Sequence, residues 1–227
     1  MDLRKHLPLL GTLLALVFTS CGSLKIIDKP ITFNNERAGL TLEYLKDRYG
    51  IIQEAPAIDP KMIVLHWTAI PSLQESYEAF KEAKLPGVRS DITSAGSLNV
   101  SSHFLVDTDG TVYRLLPEKV MARHVIGLNH CAIGIENVGG TDNMPLTGKQ
   151  LRANIKLIKY LKEKYTIEYL IGHYEYTLFE GHELWLEKDD GYRTVKYDPG
   201  PQFMAKVRKS LKKFNFKPLP SKAKVYE

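Results

Sequence analysis

Three short apolar runs in this chain end in side chains that an apolar core does not choose. Met62-Ile63-Val64-Leu65 runs into His66, Ile133-Gly134-Ile135 into Glu136, and Tyr169-Leu170-Ile171-Gly172 into His173. Ligands of open α/β sheets gather outside the carboxyl ends of strands, so these side chains are placed to converge on one site. A turn adds two more, because Lys196 and Asp198 stand two apart in Lys196-Tyr197-Asp198-Pro199-Gly200 and project to one side if locally extended. Two histidines and one carboxylate form a set that zinc uses in hydrolases while keeping a position for water. A second carboxylate outside the metal shell and a cation complete what amide hydrolysis needs.

Taken singly, each of these residues has an ordinary structural use. A histidine ending a buried strand is commonly a hydrogen-bonded core residue, a glutamate can pair at a strand terminus, and an aspartate before proline can initiate a turn. The coincidence of all five at element ends is what points to chemistry. Two competing motifs fail. His182-Glu183 lacks the second histidine of a His-Glu-x-x-His peptidase, and Thr147-Gly148-Lys149-Gln150 lacks phosphate-loop spacing.

The elements that hold these residues are legible as patterns. The short β-branched run before His66 reads as a central strand buried on both faces. Leu40, Leu42, Leu45 and Tyr49 predict a helix over Glu36 to Tyr49, preceded by a tether from Gly22 to Asn35. Ser72 with Glu75, and Thr147 with Gln150, are capping boxes that start two further helices. The second of these places Leu151, Ile155, Ile158 and Leu161 on one face. Asp107-Thr108-Asp109-Gly110 is a hairpin signal between Phe104-Leu105-Val106 and Thr111-Val112-Tyr113. Residues 86 to 100 read as a loop, and Phe203, Val207, Leu211 and Phe214 mark a last amphipathic helix. The class predicted is α/β, a mixed central β-sheet flanked by helices.

Val64-Leu65-His66-Trp67-Thr68-Ala69, Ser102-His103-Phe104, Ile133-Gly134-Ile135-Glu136, Gly172-His173 and Lys196-Tyr197-Asp198-Pro199-Gly200 follow one another in that order. Together they resemble the type 2 N-acetylmuramoyl-L-alanine amidases, relatives of phage T7 lysozyme and the peptidoglycan recognition proteins, over roughly residues 60 to 215. The resemblance implies hydrolysis of the amide bond between N-acetylmuramic acid and the stem peptide's L-alanine. It implies zinc held by His66, His173 and Asp198, Glu136 as the catalytic acid/base, and Lys196 as its helper. His124 is expected at the substrate cleft and His103 in a structural role, neither as a zinc ligand. The alternative is a non-catalytic peptidoglycan-binding module of the same fold. Members of that kind lack a metal ligand, whereas all three ligands and both helpers are present here. One departure is the long segment from Tyr174 to Val195, which carries Trp185 among acidic residues. A solvated surface loop is the default reading, and shaping or covering the cleft the functional one.

Length and composition bound the organisation. With 227 residues and 44% hydrophobic content the chain can bury one good core, so one catalytic domain with extensions is expected. Arg4 and Lys5 precede an apolar run from Leu7 to Phe18 that is too short to span a bilayer, followed by Thr19, Ser20 and Cys21. This pattern resembles a lipoprotein signal, with Cys21 the acylated first residue of an exported chain; the alternative is an ordinary secretory signal with a stray cysteine, which also exports the chain. The divisions expected are a signal peptide at 1–20, tether and pre-domain helix at 21–60, amidase domain at 61–216 and a basic tail at 217–227. The location implied is a membrane facing the periplasm or cell wall, the outer membrane in a Gram-negative cell. With Cys21 acylated, Cys131 has no disulfide partner and reads as a small buried hydrophobe. The net charge of +5 is concentrated in residues 206 to 227, a basic stretch suited to anionic lipid or acidic wall polymer, or simply to solvent. An exported chain with no nucleic-acid-binding motif is not expected to bind nucleic acid.

Overall fold

The computed structural model describes residues 23–86 and 95–221. Along the chain it runs β1 (Ile26–Asp28), α1 (Asn35–Tyr49), β2 (Met62–Leu65), α2 (Leu73–Lys81), β3 (Phe104–Val106), β4 (Val112–Arg114), β5 (Ala132–Asn137), α3 (Gly148–Lys164), β6 (Tyr169–Gly172) and α4 (Pro201–Ser210). The strands form one sheet in the order β1-β4-β3-β5-β2-β6, parallel at every pairing except the β3–β4 hairpin. The expected mixed sheet flanked by helices is therefore the fold. β2 lies between β5 and β6, and its side chains alternate between two cores, as a doubly covered strand requires. Met62 and Val64 join the layer containing Tyr44 and Leu45 of α1, while Ile63 and Leu65 join the layer under α3 and α4.

Local chemistry explains the element boundaries. Asn34 caps α1 by accepting from the Arg37 backbone N–H, and Gly50 ends it at φ 71°, where a side chain would be strained. Thr147 and Gln150 make a full capping box on α3. The Ser72–Glu75 pair is only half of one: Ser72 caps the Glu75 N–H, but the Glu75 carboxylate accepts from the Ser72 hydroxyl.

Three expectations are corrected. Residues 26–28, read as tether, form the sheet-edge strand β1 in parallel register with β4, Ile26 opposite Val112. Their apolar content supports only a three-residue strand, too short to show a period. The buried face of α3 is centred on Gln150, Ala153, Asn154, Leu157, Ile158 and Leu161, with Leu151 and Ile155 at its margin. Two polar residues occupy that face because their amides reach the sheet: Gln150 donates to the carbonyls of Val106 and Val138, and Asn154 donates to Asn137 Oδ1. Third, β5 does not stop at Glu136 but continues to Asn137.

Cys131 is buried just before β5, and burial pushes its thiol up to about 12. The signal segment and Cys21 lie outside the described residues, as do 87–94 of the predicted loop and the end of the basic tail. No helix among the described residues is long and apolar enough to cross a membrane.

Candidate active site

Parallel register brings the strand-end residues to one level. Leu65 pairs with Ile135 on one side and with Gly172 on the other, so His66, Glu136 and His173 each stand one residue beyond a matched row. The backbone of His66 confirms its place opposite Glu136: its N–H donates to Ile135 O, and its carbonyl accepts from Asn137 N–H. The Asn137 side-chain amide donates to the same carbonyl at 2.9 Å. Asn154 on α3 holds that amide from the far side of the sheet, so a helix polar residue helps to fix the end of β2.

Asp198 arrives by a different route. A Cβ on Gly172 would lie 2.7 Å from the Tyr174 ring and 2.9 Å from Pro199 Cδ, so only glycine lets the Asp198-Pro199 turn close onto the end of β6. Tyr174 N–H then donates to Asp198 O at 3.0 Å, which seats the aspartate beside His173. The Asp198–Pro199 peptide is cis.

Three ligand-type atoms meet at this point. His66 Nδ1 lies 3.0 Å from His173 Nδ1 and 3.2 Å from Asp198 Oδ2, and His173 Nδ1 lies 3.1 Å from the same oxygen. Metal–ligand bonds of zinc length at tetrahedral angles separate donor atoms by about 3.3 Å, so this triangle has the size of one face of a zinc tetrahedron. All three residues are buried, and together they form a cluster able to hold a metal ion. The residues therefore fit zinc in donor type, number and spacing.

The electrostatics agree with that set. Burial draws the His173 imidazole down to about 4, against the pull of Asp198, so both its nitrogens are without added charge near neutrality. Burial works against the Asp198 anion, but His173 and His66 outweigh it and hold the carboxyl well below the usual range. His124, buried with three other imidazoles near it, is pushed well below the ordinary histidine value, first by burial and then by His66 and His103. A neutral imidazole at His173 beside an anionic carboxylate at Asp198 is the pairing of protonation states a metal requires.

A cleft of about 260 Å³ opens over this cluster, lined by His66, His173, Asp198, Glu136, Lys196 and His124 among others. A family model described as N-acetylmuramoyl-L-alanine amidase matches residues 56–201. The chain belongs to that amidase family. Among curated relatives, the endolysin of Escherichia phage T7 is 34% identical over 85 residues and that of Klebsiella phage KP32 is 33% identical over 85 residues. Each alignment covers 35% of this chain and 56% of the relative, so the chain spans little more than half the length of those relatives. Among solved structures, the amidase LysC from Clostridium intestinale URNW matches at 21% identity and a TM-score of 0.49, covering 85% of this chain and 99% of that one. Peptidoglycan recognition protein-LE, solved with tracheal cytotoxin, matches at 19% identity and a TM-score of 0.48, covering 74% and 89%.

Within this amidase-family domain the structure gathers all the residues singled out by type and spacing. Glu136 is only 8% exposed and lines the cleft, and Lys196 lines it from the opposite turn, near enough to lower the His173 pKa further. His124 forms part of the cleft wall, but both ring nitrogens are occupied: Nδ1 lies 3.0 Å from His66 Nε2 and Nε2 lies 3.2 Å from Ala132 O. His103 is buried and structural, bonded to Val120 O and Gly134 N–H. His182 bonds the Tyr169 hydroxyl, and His130 packs its edge on Tyr49.

The segment from Tyr174 to Val195 packs in part against the domain, while Lys188 to Gly191 stay exposed. Glu187 is buried against Arg48 of α1 at 2.7 Å, Arg48 also lies over the Tyr192 ring, and Trp185 stacks on Tyr176. Tyr192 and Thr194 thereby join the cleft lining. Sequence reasoning also passed over Trp67, Arg123 and Asn129 in that lining. Asn129 had a signal: it follows Gly127-Leu128 at a turn, and its Oδ1 accepts from both His124 N–H and Val125 N–H.

Proposed function

We propose that this chain is a zinc-dependent N-acetylmuramoyl-L-alanine amidase, hydrolysing the bond between the muramic acid lactyl group and L-alanine of the stem peptide. The observation that carries the reading is the triangle of His66 Nδ1, His173 Nδ1 and Asp198 Oδ2, with edges of 3.0 to 3.2 Å, inside a domain of this family. Bound there, zinc supplies Lewis acidity and makes water nucleophilic near neutral pH.

The chain's own groups do the rest. Glu136, shielded from bulk water at the cleft wall, takes a proton from the attacking water and hands it to the departing amine as the C–N bond breaks. Lys196 presents an ammonium to the oxyanion that develops on the lactyl carbonyl. The products are the sugar strand or fragment and a peptide with a free L-alanine amino terminus. Export and lipid attachment through Cys21 at a membrane facing the wall complete the reading, resting on the amino-terminal sequence pattern alone.

The test is metal dependence on purified peptidoglycan. Chelation is expected to abolish peptide release, and zinc at one equivalent per chain to restore it. Release that persists after complete removal of metal would exclude zinc catalysis, and a zinc-loaded chain that binds peptidoglycan without cutting it would make the domain a recognition module.

A further inference from the structure

We propose that His124 is a positioning residue that sets the tautomer of His66, so that the His66 Nδ1 lone pair faces His173 and Asp198. The proposal rests on the zinc-site reading above. Ala132 O can only accept, so the hydrogen in the 3.2 Å contact with His124 Nε2 belongs to the imidazole. Neutral His124 then has an acceptor at Nδ1, and the 3.0 Å contact to His66 Nε2 requires the hydrogen there to belong to His66. Two bare nitrogens facing each other in a buried site would leave both unsatisfied. His66 is thereby left with a bare Nδ1, the atom that lies 3.0 Å from His173 Nδ1; without metal, His173 Nδ1–H is then the donor that His66 Nδ1 and Asp198 Oδ2 share. A histidine ligand whose other nitrogen is held in this way has its ring orientation and basicity fixed in advance.

Independent features show that the site is built around the His124 ring. A Cβ on Gly134 would lie 2.8 Å from His124 Cγ and 2.8 Å from Ser102 Oγ, so the glycine between the two isoleucines of β5 is the floor on which the imidazole rests. Asn129 Oδ1 accepts from the backbone N–H of both His124 and Val125 at 2.8 Å, holding the turn that presents the ring. His103 meets the His124 ring edge-on at 5.9 Å and is itself tied to Gly134 N–H. The His66 and His124 ring centroids lie 5.1 Å apart with their planes perpendicular.

The direct test needs no substitution. Long-range nitrogen–proton correlation spectra of the metal-stripped full chain, labelled with ¹⁵N histidine, report which ring nitrogen carries the hydrogen. His66 and His124 are both expected to be Nε2–H. His66 found as Nδ1–H overturns the proposal, whether or not any variant folds. Zinc affinity, measured by competition with a chromophoric chelator, adds a second readout. His124→Phe keeps the ring but removes the acceptor, and is expected to weaken zinc binding about 10- to 100-fold, the usual range for losing a group behind a ligand. His124→Asn places an amide oxygen at the Nδ1 position and is expected to restore most of that loss. A folded His124→Phe that binds zinc as tightly as the parent overturns the positioning role. A parent that takes up no zinc while His66 is Nε2–H removes the zinc reading and leaves the hydrogen-bond order standing, so the two failures are distinguishable.

Discussion

His66 and His173 stand on neighbouring parallel strands, each one residue past the paired Leu65 and Gly172, and their Nδ1 atoms meet at 3.0 Å. With Asp198 they make a candidate ligand set of unequal origin, two on strand ends and one on a turn. His66→Ala, His173→Ala and Asp198→Ala are each expected to lose bound zinc, and activity with it, because two protein ligands leave an incomplete shell. Glu136→Gln is expected to keep zinc and lose about 10² to 10⁴ in rate, the usual contribution of a positioned acid/base. Metal per chain by atomic emission, read beside peptide release, separates the two classes. A Glu136→Gln enzyme of normal rate would move the proton transfer to another group.

The segment that seats His173 depends on an ion pair behind it. Glu175 accepts from Arg208 on α4 through two bonds, the first at 2.8 Å, and from Gly172 N–H at 2.8 Å. Arg208→Ala removes both guanidinium donors from a buried carboxylate and is expected to cost about 2 kcal/mol, less than a fully buried pair because the guanidinium is partly exposed. That loss corresponds to a drop of about 4 to 8 °C in Tm for a domain of this size. Differential scanning calorimetry checks it, and an unchanged Tm would mean that the turn is held without the pair.

Acid sensitivity follows from His103. Burial lowers its imidazole from 6.5 to about 4, outweighing the bond to Val120 O and the nearby Glu118, which both raise it, and its Nδ1 already accepts from Gly134 N–H. The unfolded chain takes up a proton near pH 6.5 that the folded chain refuses until about 4. The stability is therefore complete above 6.5 and is lost as the pH falls toward 4, by about 3 kcal/mol from this group. Urea midpoints at pH 7, 6 and 5 should fall in that order, and the slope should shrink in His103→Gln. A flat profile in the metal-free parent would contradict the assignment.

Much of this site was legible because strand ends, capping residues and motif order are local signals. The short runs leading into His66, Glu136 and His173 read correctly as strands, though β5 runs one residue past Glu136, because β-branched residues bounded by polar ones leave little choice. The three-residue strand β1 was hidden because nothing in Ile26-Ile27-Asp28 states a partner, and its pairing with Val112–Arg114 exists only in three dimensions. Gln150 and Asn154 broke the helical pattern for the same reason: their amides satisfy sheet carbonyls and Asn137, a use that hydrophobic periodicity does not register. The 174–195 segment reads as polar and acidic, yet Glu187 is buried because Arg48 from a helix far away in sequence meets it.

The amino terminus makes its own prediction. If Cys21 carries the acyl chains, Cys21→Ser should move the protein from the membrane fraction to the soluble fraction, since two or more chains give stable attachment. Fractionation followed by immunoblotting reads this directly. Retention of the serine variant in the membrane fraction would defeat lipid anchoring at this residue.

Which bond is cut can be read by mass analysis of the products from purified peptidoglycan treated with the zinc-loaded chain. Stem peptides with a free L-alanine amino terminus and glycan whose lactyl groups end in carboxylates are expected. Fragments cut within the peptide or between sugars, with the muramoyl–alanine bond intact, would contradict it.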